Sequence, residues 1–90
     1  MKDLVISLSG IYIPDEFHAR LGDYLPLPAY YGANLDALHD VLTSLTGEWQ
    51  IRFTDCSEAE AMMEKYMKKL RRMCANACRE NTGLCITFEE

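Results

Sequence analysis

Apolar positions fall in short runs along the chain, and each run has its own period. Leu4, Val5, Ile6 and Leu8 predict a strand over residues 3–8, broken by Ser9-Gly10. Pro14-Asp15-Glu16 reads as a first helical turn. Proline there loses no hydrogen bond, and the two acids face the positive end of the helix. Phe17, Leu21 and Tyr24 continue that helix as an apolar stripe, and Leu25-Pro26-Leu27-Pro28 stops it in extended chain. Asn34 is a good N-cap for a second helix running to Leu45. Leu35, Leu38, Leu42 and Leu45 share one of its faces, with Asp36, Asp40 and Thr43 opposite and His39 at the flank. Thr46-Gly47 ends it. Trp49, Ile51 and Phe53 alternate as a second strand. Ser57-Glu58-Ala59-Glu60 has the S-x-x-E form of a capping box and predicts a third helix as far as Asn81. Its expected core stripe is Ala59, Met62, Met63, Tyr66, Met67, Leu70, Met73, Cys74 and Ala77. Gly83 is a natural stop, and residues 84–88 form the last strand.

Strands separated by helices require crossover connections, so the expected fold is α/β, a small three-stranded parallel sheet packed by α-helices. Ninety residues suffice for one core, and a single domain over residues 1–90 is expected.

Charge narrows the function. Fourteen acids against nine bases give a net charge of -5. Residues 1–60 hold ten acids and three bases, whereas residues 61–90 hold four acids and six bases. Nucleic acid is a poor partner for such a chain, and a basic protein a good one. No apolar run is long enough for a membrane span, and residues 1–8 lack the pattern of an export signal, so a cytoplasmic location is expected. Cys56, Cys74, Cys78 and Cys85 are then expected as reduced, buried thiols, and neither a metal nor a cofactor is expected.

Residues 27–42 stand apart. Tyr30 and Tyr31 sit on a loop before Gly32, followed by a capped helix with two outward acids one turn apart. Stiff aromatic area beside fixed negative charge makes a protein-binding surface. Either tyrosine could instead pin the loop to the core. The block reads L-P-x-Y-Y-G-x-N-L-D-A-L-x-D-x-L, with 12 defined positions. It resembles the hallmark loop and helix of the barstar family, intracellular inhibitors of the secreted bacterial ribonuclease barnase.

The resemblance implies a mechanism in which loop and helix plug the nuclease active site. Asp40 would enter the pocket for the substrate phosphate and meet cationic side chains there. Asp36 would be a second contact acid and Tyr30 an aromatic contact. Gly32 would admit the partner's backbone, and Asn34 would cap the helix that aims the acids. The candidate contact set is Tyr30, Tyr31, Gly32, Asn34, Asp36, His39, Asp40 and Thr43. The expected partner is a basic microbial ribonuclease, bound by an inhibitor that is monomeric when free.

Three positions depart from the family pattern. His39 replaces a tryptophan, and its charged form would weaken the acidic face. Leu45 stands where a second aromatic contact is expected. Cys78 falls at the place of a contact acid late in the last helix, with Glu80 two residues on. Other classes stay open. The chain could be an acidic immunity module for a basic toxin that is not a ribonuclease. It could be a thiol enzyme using Cys85, or a metal-binding adaptor using His18, His39 and the thiols. Enzymatic activity is not expected, because no oxyanion hole, phosphate loop or nucleophile elbow is legible.

Overall fold

A computed structural model describes residues 2–89. The element order is β1 (Lys2–Ser7), α1 (Pro14–Leu21), α2 (Leu35–Ser44), β2 (Trp49–Thr54), α3 (Cys56–Met62), α4 (Glu64–Glu80) and β3 (Leu84–Phe88). All strand pairing is parallel, in the order β1-β2-β3, with Leu4 beside Ile51 and Ile51 beside Ile86. This is the α/β sheet expected from the element order. Strands that step one way through right-handed crossovers place both crossovers on the same face. Burial along the strands agrees. Ile6, Ile51, Phe53 and Leu84 are buried under the helices, while Asp3, Val5, Cys85 and Thr87 on the other face are exposed.

The core is one cluster joining these strand residues to Phe17 and Leu21 of α1, Leu38 and Leu42 of α2, and Met67, Leu70, Cys74 and Ala77 of α4. Gly83 sits where two chain segments nearly touch: a Cβ there would lie 2.4 Å from the Gly47 carbonyl oxygen. Among the described residues no helix is long and apolar enough to cross a membrane.

The structure corrects four local expectations. The first helix stops at Leu21, so Tyr24 is exposed. Leu25, whose N–H donates to the Leu21 carbonyl, takes the buried position instead. Ser57 caps nothing. Asp55 adopts a left-handed backbone (φ 54°), a conformation aspartate tolerates better than most residues, and the helix already begins at Cys56. A carboxylate that does turn back over a helix start is Glu16, which accepts from the Tyr12 and Ile13 N–H groups at 3.0 and 3.3 Å. The expected third helix is broken at Met63 (φ -130°, ψ 47°) into α3 and α4. Met62 falls outside the resulting stripe and is 61% exposed, so Ala59, Met63, Met67, Leu70, Cys74 and Ala77 form the buried line.

Candidate functional site

The loop before α2 is shaped by two prolines and a turn. The Tyr31 N–H donates to the Pro28 carbonyl at 3.0 Å, which places Ala29 and Tyr30 at the corner. Tyr30 is 88% exposed as a result. Tyr31 points the other way. Its hydroxyl is 2.6 Å from His18 Nδ1, and the far side of that imidazole, Nε2, is 2.5 Å from the Tyr66 hydroxyl. One ring nitrogen of a neutral histidine donates and the other accepts, so a single neutral ring satisfies both hydroxyls. Burial lowers the His18 pKa against an opposing pull from Asp15. Burial, with Tyr66 adding to it, pushes the Tyr31 phenol up to about 12. The neutral triad therefore ties the loop to α1 and α4.

Asn34 joins the loop to the helix. Its Oδ1 accepts from the Ala37 N–H at 2.8 Å, as the N-cap expectation required, and its Nδ2 donates to the Gly32 carbonyl at 3.3 Å. The strained residue of the loop is Ala33, with φ 51°, rather than Gly32. A side chain at Gly32 would press within 3.0 Å of the Asn34 amide, so glycine there leaves room for the clamp.

On α2 the leucine face is inward as expected, and the polar side forms a ridge with a groove along each flank. The first groove, about 490 Å³, is edged by Pro28, Tyr30, Gly32, Ala37, Asp40 and Ser44. The Asp40 side chain is 87% exposed, and His39 Nδ1 lies 4.0 Å from its carboxylate. The second groove, about 370 Å³, lies between α2 and α4, with Asp36 and His39 on one wall and Lys69, Arg72 and Asn76 on the other. Asp36 is exposed and makes no ion pair among the described residues. Asp36 and Asp40 are thus exposed, and among the described residues neither makes an ion pair with a lysine or arginine.

The remaining expected residues divide. His39 is partly buried, with Nε2 2.5 Å from the Glu80 carboxylate at the end of α4. Thr43 turns its hydroxyl back onto its own helix, donating to the His39 carbonyl at 2.9 Å. Ser44 does the same to the Asp40 carbonyl at 2.6 Å. Sequence reasoning missed His18 and Tyr66 as supports of the loop and Glu80 as the partner of His39. The His18–Tyr31 contact spans 13 residues, His39–Glu80 41 and His18–Tyr66 48, and no local spacing signals them.

Both His18 nitrogens are taken by tyrosines, and no three potential metal ligands cluster among the described residues. Burial pushes the Cys74 thiol up to about 12 and raises Cys78, which makes both poor nucleophiles.

The fold is a parallel α/β sheet whose capped helix α2 carries two exposed acids beside an exposed tyrosine. Over residues 1–89 the chain matches the Barstar (barnase inhibitor) family, and it belongs to that family. Members of that family are inhibitors rather than enzymes.

Proposed function

We propose that the chain, as one barstar-like domain over residues 1–90, inhibits a secreted or toxic microbial ribonuclease of the barnase type. It does so as a cytoplasmic protein, monomeric until it binds. The α2 ridge and the loop before it cover the nuclease active site. Asp40 enters the phosphate pocket, Asp36 supports it at the rim, and Tyr30 packs on the pocket mouth. Gly32 and Asn34 hold the loop and helix in register, Tyr31 anchors the loop from inside, and His39 and Thr43 border the contact.

The observation that carries this reading is the Asp40 carboxylate, exposed on a capped helix and, among the described residues, in no ion pair with a lysine or arginine. Ribonucleases stabilise phosphate charge with preorganised cations, and a rigidly held carboxylate satisfies the same cations through short charge-assisted hydrogen bonds. Rigidity matters because little side-chain or loop freedom is then lost on binding.

The test is titration of the chain against a barnase-type ribonuclease cleaving RNA, alongside the Asp40→Ala variant. Truncating one partner of a buried charge pair costs about 2–5 kcal/mol, a range drawn in part from the barnase–barstar pair itself. The variant should fold normally and inhibit at least about thirtyfold more weakly, chiefly through faster dissociation. A wild-type chain that inhibits no such ribonuclease, or an Asp40→Ala variant as potent as wild type, would contradict the reading.

A further inference from the structure

The α2 ridge is bordered by opposite charge on its α4 side. Four cations lie along one stretch of α4, and they divide by direction. Lys68 pairs with Glu64 at 3.6 Å, and Arg71 pairs with Glu60 while its guanidinium lies 4.5 Å from the centre of the Phe88 ring. Lys69 and Arg72, three residues apart on one helix face, line the groove shared with Asp36 and His39. Both are exposed, and among the described residues neither has a carboxylate within ion-pair distance. Among the described residues the nearby acids make no ion pair with this wall. Glu80 is bonded to His39, and Asp36 forms no bridge across the groove.

A uniformly cationic nuclease surface laid over Asp40 would meet these two cations as like charge. We infer that Lys69 and Arg72 are specificity-determining residues, and that the ribonuclease this chain serves carries carboxylates at the rim of its cleft where it faces α4. The partner surface is then bipolar, positive over Asp40 and negative over the α2–α4 groove. The inference rests on the ribonuclease-inhibitor reading, and it is argued from charge complementarity and from the continuity of this groove with the proposed contact ridge.

The sign of one kinetic effect decides it. Lys69→Glu together with Arg72→Glu makes an already acidic chain more acidic. General steering by net charge would then speed association with a basic ribonuclease. A carboxylate rim would slow it. Stopped-flow association should be measured for wild type, K69E/R72E and the control K65E, using each barnase-type ribonuclease that wild type inhibits. Thermal melts would confirm that these exposed substitutions leave the fold intact. With its cognate class, K69E/R72E should associate at least about tenfold more slowly, with a changed salt dependence, while K65E associates no more slowly than wild type. Faster or unchanged association of K69E/R72E with every inhibited ribonuclease would overturn the inference and leave the inhibitor reading standing. Failure of wild type to inhibit any ribonuclease would remove both.

Discussion

Helices α2 and α4 pack on the same sheet and bury equivalent apolar stripes, yet they treat their outward charges differently. On α4, Arg71 is tied to Glu60 and Lys68 to Glu64. On α2, among the described residues, Asp36 makes no ion pair and Asp40 has only His39 Nδ1 at 4.0 Å, and a side-chain cap and a pinned loop hold the start of that helix. Surface charge that serves solubility is free to find partners within the molecule. In the inhibitor reading, charge left without an ion pair is available to a partner outside the molecule. Among the described residues Lys65, Lys69 and Arg72 of α4 also make no ion pair, and of these Lys69 and Arg72 line the groove against α2.

Several substitutions break or sharpen this contrast. The two helices should be alike inward. Leu38→Ala on α2 and Leu70→Ala on α4 each remove a side chain no more than 1% exposed, and each should destabilise the fold by about 2–5 kcal/mol in urea unfolding. A large difference between them would mean that α2 docks more loosely than the core indicates.

Acid should act next. Burial lowers the His18 pKa, so the unfolded chain takes up a proton first as pH falls. Stability is then full above about pH 6.5 and declines below it, by at most about 1.4 kcal/mol per pH unit from this group. From about pH 7.5, a unit above the ordinary histidine pKa, to about pH 5, roughly one and a half units below it, urea midpoints should fall for wild type and flatten for His18→Gln.

The loop anchor comes third. Tyr31→Phe removes one hydroxyl from the His18 triad and should cost about 1–2 kcal/mol in stability. Its inhibitory potency should fall as well, because Tyr30 loses its fixed position. Asn34→Ala removes the cap of α2 and should cost about 1 kcal/mol. Smallest of all, Arg71→Ala on α4 should change stability by less than about 1 kcal/mol and inhibition not at all, since its partner is a half-exposed glutamate of the same chain.

Legibility in the sequence followed the range of the interactions. Helix α2, strand β3 and the Asn34 cap depend on residues within a turn or two of each other, and spacing alone located them. The outward aspect of Asp36 and Asp40 followed from helical phase against four leucines. Local patterns failed where a neighbour in space took over. Ser57 looked like a cap until the left-handed turn at Asp55 started the helix earlier, and Met62 left the core when the backbone bent at Met63. Which tyrosine faces outward could not be read from two adjacent identical residues. It was decided by His18 and by Tyr66, which lies 48 positions from that histidine. The Glu80 contact with His39 is equally remote, and it gives the departure at position 39 a structural partner.

The central claim is that negative charge at Asp40, held in place before the partner arrives, drives inhibition. Asp40→Asn keeps the side chain's size and removes the charge. Its dissociation from an inhibited barnase-type ribonuclease should be at least about tenfold faster than wild type, with an unchanged unfolding midpoint. Dissociation within about twofold of wild type would contradict the claim, because a well-placed charge pair cannot be lost that cheaply.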